Sequence, residues 1–340
     1  WRGSALLSFV MLRSAAGRVH IATARRLSTL PKRVRVYEVG PRDGLQNEAS
    51  LVDTATKVRF INLLSATGVS AVEPTAFVHP KWVPQMADHN DVMASFDWVD
   101  GVDYPVLVPN MKGFHNAVAR GARTVAVIAM PSETFARKNL NCSAAESVTR
   151  AEEIARAADE QGVPCRAYVS CALFCPFEGP VAAAATAQVA AQLHRSGCYE
   201  VCLADTIGAG TPAHMAALLD AVRSEHVPTE QLAVHCHDTY GQALANIYCA
   251  LQHGVATIDS SVGGLGGCPF AGPGASGNVA TEDVVYMLDG LGVHSGVDFA
   301  QVVRAGDWIV RQIGRRNSSR AGVASLARGE VAPLAELESA

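Results

Sequence analysis

Leu232-Ala233-Val234-His235-Cys236-His237-Asp238 is an apolar run ending in two histidines one residue apart and an acid. Side chains alternate faces along a strand, so His235 and His237 point one way and Cys236 the other. The two histidine Cα atoms then lie roughly 6.6 Å apart, close enough for both imidazoles to meet one metal ion. Standing alone, a His-x-His is more often one packed histidine and one exposed one. The sequence on either side decides between the two readings.

Outward in both directions, short apolar runs alternate with helical stretches. Strands are expected at 34–39, 70–77, 104–108, 124–130, 165–171, 200–205, 232–237 and 257–262. Helices are expected at 54–67, 82–96, 111–121, 144–161, 182–196, 212–225, 241–253, 280–290 and 298–314. Ser143 and Glu146 form a capping box, Thr211 precedes a proline at the first helical position, and Thr281 is placed to cap the helix after strand eight. Gly162 and Gly197 stop the helices before the next strand. Eight strands each followed by a helix predict an α/β fold, a (β/α)8 TIM barrel, with extra C-terminal helices. Strands covered on both faces read as the near-continuous apolar runs seen here.

In that fold, chemistry sits where strands end. Strand one ends in Arg42 and Asp43, and strand two carries Glu73 and Thr75. Strand six ends at Asp205, and strand seven at the histidine pair. Strand eight gives Asp259, then Gly263-Gly264-Leu265-Gly266-Gly267-Cys268, and the loop runs on to Asn278. Scattered structural residues would not share one rim, so the metal reading of His235 and His237 gains over the packed-core reading. Singly, Asp43 can cap a turn, Glu73 can pair with Arg42, and Asp205 can bond nearby backbone. Two imidazoles, a carboxylate and a carboxamide oxygen without thiolate suit octahedral Mg²⁺ or Mn²⁺ better than tetrahedral zinc.

The chain has 340 residues, 49% apolar and 18% charged, with a net charge of −4. Residues 1–37 carry eight basic groups and no Asp or Glu, which leaves 20 basic and 32 acidic residues beyond them, a balance of −12. An acidic body of this kind argues against nucleic acid as a partner. No apolar run approaches the roughly 20 residues of a membrane span. Nine scattered cysteines fit reduced thiols inside a cell. The basic, acid-free N-terminus has the composition of a mitochondrial transit peptide, expected over 1–28, with the barrel over 29–318 and a tail over 319–340.

The longer motifs allow a family resemblance to be stated. Glu38-Val-Gly-Pro-Arg-Asp-Gly-Leu-Gln-Asn47, Pro80-Lys-Trp-Val-Pro-Gln85, Ala233-Val-His-Cys-His-Asp-Thr-Tyr-Gly-Gln-Ala243 and Gly263-Gly-Leu-Gly-Gly-Cys-Pro269 resemble the 3-hydroxy-3-methylglutaryl-CoA lyases of mitochondrial type. The wider family of metal-dependent lyases and Claisen-type synthases shares the rim set; the cysteine-bearing glycine loop marks the lyases. The resemblance implies retro-Claisen cleavage of an acyl-CoA to acetyl-CoA and acetoacetate, in ketone-body formation and leucine degradation within the mitochondrial matrix. It implies Asp43, His235, His237 and Asn278 as metal ligands. It implies Arg42, Asp43, Glu73, His235 and Cys268 in catalysis, and Arg42, Thr75, Asp205 and Glu282 around the substrate. Asp43 or an imidazole would take the hydroxyl proton, and Cys268 or His235 would return one to carbon. The helices expected at 280–290 and 298–314 offer a homodimer face. Three positions depart from the family pattern: the Gly272-Pro273 pair lengthens the loop by one residue, and Pro74 and Ala76 flank Glu73. A synthase on the same barrel would not need Cys268, and a metal-holding protein without activity would need neither Arg42 nor Glu73.

Overall fold

The structure, a computed structural model, describes residues 30–267 and 276–338. The expected transit segment, Cys268 and the Gly272-Pro273 pair lie outside the described residues.

Eight strands run parallel: β1 Arg35–Glu38, β2 Ala71–Val72, β3 Pro105–Leu107, β4 Thr124–Ala129, β5 Cys165–Val169, β6 Glu200–Asp205, β7 Leu232–Cys236 and β8 Thr257–Ser260. Ladders join neighbours in chain order from β3 through β8 and join β1 to β2, and β8 returns to pair with β1. Two single bridges, Ala71 to Asp103 and Ala76 to Leu107, join β2 to β3. The chain is therefore the (β/α)8 barrel expected. β2 is much shorter than its apolar run because Pro74 has no N–H for the ladder. Pairing resumes beyond it, where the Phe77 N–H donates to the Leu107 carbonyl.

Around the ring lie α1 Thr54–Ser65, α2 His89–Ser95, α3 Met111–Ala119, α4 Glu133–Leu140, α5 Ala144–Glu160, α6 Ala183–Arg195, α7 Pro212–Ser224, α8 Ala243–Gln252 and α9 Thr281–Leu291. α10 Phe299–Gln312, α11 Arg320–Ala327 and α12 Leu334–Glu338 follow. The Ser143–Glu146 capping box forms as read. The helix expected over 82–96 divides into a 3₁₀ turn, Pro84–Met86, and α2. The segment read as a tail carries α11 and α12, and the Asp283 carboxylate accepts from Ser319 Oγ and the N–H groups of Arg320 and Ala321. Among the described residues no helix is long and apolar enough to cross a membrane.

Thr281 does not cap its helix. Ala280 takes the cap position, and the Thr281 hydroxyl donates to Glu38 Oε2 at 2.5 Å. Glu38 also accepts from the N–H of Gly40 at 2.8 Å and of Val262 at 3.2 Å. One fully buried carboxylate thus ties the turn after β1 to the start of the glycine loop and to α9. Burial pushes its pKa up to about 7, against the hydrogen bonds from Thr281, Gly40 and Val262. Between about pH 4.5 and 7 the folded chain then holds a proton that the unfolded chain has lost, so this group's contribution to stability falls as pH rises. Denaturant midpoints at pH 5 and pH 8 should show wild type losing on the order of 3 kcal/mol that Glu38→Gln does not lose. Parallel pH slopes for the two proteins would contradict this.

The barrel interior holds charge as well as apolar side chains. Arg166 is fully buried, with its guanidinium 4.0 Å from the Tyr37 ring centre and 4.9 Å from that of Tyr168. It donates to Glu200 at 2.7 Å and to both oxygens of Asp259, at 2.6 and 3.1 Å. A buried guanidinium persists only when its donors are matched in this way.

Candidate active site

β1 ends in a tight turn with π-helical bonding, Gly40–Gly44, in which every residue is buried. Pro41 fixes the backbone at its start, and the turn brings Arg42 and Asp43 to the barrel axis. Gly40 has to be glycine here, because a Cβ would come within 2.6 Å of Glu38 Oε1.

The Arg42 guanidinium lies between two carboxylates. Nε and Nη2 reach Glu73 Oε2 at 2.9 and 2.8 Å, and Nη1 reaches Asp43 Oδ1 at 2.7 Å. The Tyr168 hydroxyl donates to the same Glu73 oxygen at 3.1 Å, and the guanidinium lies 5.4 Å from the Tyr168 ring centre. Burial alone would lower the Arg42 pKa, but Glu73 and Asp43 outweigh it and raise it, so Arg42 is charged at any working pH. Burial raises the Glu73 carboxyl against the pull of Arg42.

β7 delivers both histidines as its sequence implies. Their rings are 5.2 Å apart and both are buried, while Cys236 packs into the apolar core on the opposite face. His237 Nε2 lies 3.6 Å and His235 Nε2 3.9 Å from Asp43 Oδ2. Ligand atoms of Asp43, His235 and His237 all fall within 4.8 Å of one another. Burial works to raise the Asp43 carboxyl, yet Arg42 and the two histidines hold it well below the usual carboxylate range. It is therefore an anion at neutral pH.

Asn278 arrives from the far side of the glycine loop. Its backbone bridges to His237, and the Asp238 N–H donates to the Gly277 carbonyl. Nδ2 donates to Asp43 Oδ2 at 2.8 Å and to the Leu265 carbonyl at 3.1 Å. Asn278 Oδ1 is buried with no partner among the described residues. A buried amide oxygen without a partner, together with a carboxylate and two imidazoles, makes a mixed N/O donor set able to hold a divalent metal ion. The residues present fit such an ion.

Three expected residues stand elsewhere. Glu282 is fully buried beneath the glycine loop, where both oxygens accept from the Gly263 N–H at 2.9 and 3.0 Å. The structure does not bring it to the rim; it holds backbone instead. Thr75 is buried with its hydroxyl 3.7 Å from Met86 Sδ, turned into the packing. Asp205 accepts from the N–H groups of Ala209 and Gly210 at 3.2 and 2.9 Å, so it caps its own loop beneath His237. Burial raises its pKa against those bonds.

Several neighbours lie on segments that the sequence placed at the rim but gave no role. Gln46 Nε2 donates to Asp43 Oδ1 at 3.1 Å. Tyr168 braces Glu73, and Asp259 Oδ2 lies 3.3 Å from His235 Nδ1. Tyr168 and Asp259 both sit near strand ends, the signal used for the others. What singles them out is register across strands, which pairs Asp259 with His235 and with Tyr37.

The HMGL-like family model matches residues 33–309. The mitochondrial hydroxymethylglutaryl-CoA lyase of Rattus norvegicus is 55% identical over 304 residues, covering 89% of this chain and 93% of the relative. The solved hydroxymethylglutaryl-CoA lyase of Pseudomonas aeruginosa superposes with a TM-score of 0.85 at 51% identity, covering 88% of this chain and 99% of that one. An HMG-CoA lyase of Acinetobacter baumannii, in complex with coenzyme A and 3-methylmalate, gives a TM-score of 0.82 at 32% identity, covering 88% of this chain and 96% of that one.

Proposed function

The chain belongs to the hydroxymethylglutaryl-CoA lyase family, and from that premise we infer that it is a carbon–carbon lyase cleaving (S)-3-hydroxy-3-methylglutaryl-CoA to acetyl-CoA and acetoacetate. The observation that carries the site assignment is the convergence of Asp43, His235 and His237 within 4.8 Å, beside the Arg42 guanidinium.

In this reading Asp43, His235, His237 and Asn278 hold Mg²⁺ or Mn²⁺. Bound there, the ion would make the substrate's tertiary hydroxyl a stronger acid and anchor its acyl group; the strongest case of that effect is zinc, which takes bound water from a pKa of about 15.7 to about 7. Arg42 serves the other end of the breaking bond. An arginine has five N–H donors, and three point at carboxylates here, so two remain for the thioester oxygen as it becomes an enolate. Glu73 and Tyr168 hold the guanidinium so that little reorganises during the step. The proton leaving the hydroxyl goes to Asp43 or an imidazole at the rim. Cys268, read from the sequence, returns a proton to carbon. The Asp205 carboxylate braces the loop under His237.

The test is acetoacetate formation from the acyl-CoA by the purified chain. EDTA should remove the activity, and Mg²⁺ or Mn²⁺ should restore it. Full turnover after exhaustive chelation would sink the metal assignment. Condensation of acetyl-CoA with a 2-oxo acid, in place of cleavage, would make the chain a synthase.

A mitochondrial matrix location belongs to the same proposal. It is supported by the acid-free basic N-terminus, read as a leader over 1–28, and by the mitochondrial name of the rat relative. Import into isolated mitochondria with loss of the leader tests it. A homodimer is proposed on the exposed Tyr286 of α9, and sedimentation velocity tests that.

A further inference from the structure

We propose that Asp259, clamped by Arg166, is the positioning residue that fixes the tautomer of His235 and aims its Nε2 at the metal. The inference rests on the metal-centre reading above and adds a residue to it.

A neutral imidazole has one nitrogen that donates and one that accepts. His235 Nδ1 lies 3.3 Å from Asp259 Oδ2. A carboxylate only accepts, so Nδ1 carries the hydrogen and Nε2 presents its lone pair. That nitrogen is the one facing Asp43. Asp259 is fully buried and cannot swing away. Nη1 and Nη2 of Arg166 grip its two oxygens, and the Cys202 thiol lies 3.4 Å from one of them. Arg166 is itself pinned by Glu200 and by two aromatic faces. β8 and β7 pair Asp259 with His235 directly, so backbone register sets the spacing.

The two imidazoles are not equivalent. His237 Nδ1 is buried with no partner among the described residues, whereas His235 Nδ1 is held. With Nδ1–H held on Asp259 and the Nε2 lone pair committed to the metal site, His235 would have no free lone pair to take a proton from substrate. His235 therefore drops out as a base and as the donor to carbon, and acts through ligation alone.

Mn²⁺ affinity of the full chain is measured by electron paramagnetic resonance for wild type, Asp259→Asn, His235→Ala and the double variant. The amide can donate to Nδ1 and favour the wrong tautomer, so Asp259→Asn should bind Mn²⁺ about 10- to 100-fold more weakly. In the His235→Ala background the same change should cost nothing further, because its route is gone. A folded Asp259→Asn with wild-type affinity overturns the proposal, as does an equal loss in both backgrounds. A wild-type chain that binds no Mn²⁺ overturns the metal-centre reading itself. Nitrogen-15 correlation spectra of histidine-labelled wild type, with His235→Ala to assign the signal, give a readout that needs no folded Asp259 variant. The hydrogen should be on Nδ1 of His235; a hydrogen on Nε2 overturns the proposal.

Discussion

Arg42→Gln should lower kcat for acetoacetate formation by about 10²- to 10³-fold and leave Mn²⁺ affinity within a few-fold of wild type. The guanidinium is buried, saturated by Glu73 and Asp43 on one side and has two N–H groups to spare. Negative charge grows on the thioester oxygen only as the bond breaks, so the loss falls on kcat rather than on KM. Glutamine keeps a donor near Asp43 but carries no charge. A lysine would restore the charge without the fork, and should recover only part of the rate. The competing picture makes Arg42 a scaffold for Asp43. In that case Arg42→Gln would lose Mn²⁺, and excess Mn²⁺ would restore turnover. Turnover at saturating Mn²⁺, beside a direct Mn²⁺ titration, separates the two.

The strands were legible because a barrel strand is covered on both faces, which leaves a run such as Thr124–Ala129 almost wholly apolar. β2 was the exception, since Pro74 halts a ladder that composition alone would continue. α4 went unread because only Phe135 and Ala136 of its eight residues are buried, so it shows no apolar stripe. The turn at Gly40–Gly44 has no periodicity to read, although it places Arg42 and Asp43. His235 and His237 were readable because a two-residue repeat is local. Asp259 was placed at the end of strand eight but given no role, because that role depends on the register between β7 and β8, and no single strand encodes that. Glu282 came from the resemblance alone, and the fold sends it under the glycine loop, where it accepts from the Gly263 N–H. Resemblance between sequences carries identity of residue; the direction of a side chain has to come from packing.

Asp43→Asn tests the centre of the site, and its expected effect is larger still. Asp43 is the one carboxylate among the proposed ligands and meets Arg42, Gln46, both imidazoles and Asn278. Asparagine keeps the shape and one oxygen but removes the charge, and the affinity of hard-cation sites follows the count of charged ligands. Mn²⁺ affinity should fall on the order of 100-fold or more. If metal polarisation supplies about 4 kcal/mol at the transition state, turnover at ordinary metal concentration should fall about 10³-fold. The fold should survive, because Arg42 keeps Glu73 and Tyr168. Thermal melting makes the argument independent of turnover. At a concentration of about 100 times the wild-type Kd, Mn²⁺ should stabilise wild type by about 2.7 kcal/mol, and the variant by only about 0.4 kcal/mol if its Kd is 100-fold weaker. Equal stabilisation of both proteins would remove Asp43 from the ligand set and leave it a partner of Arg42 alone.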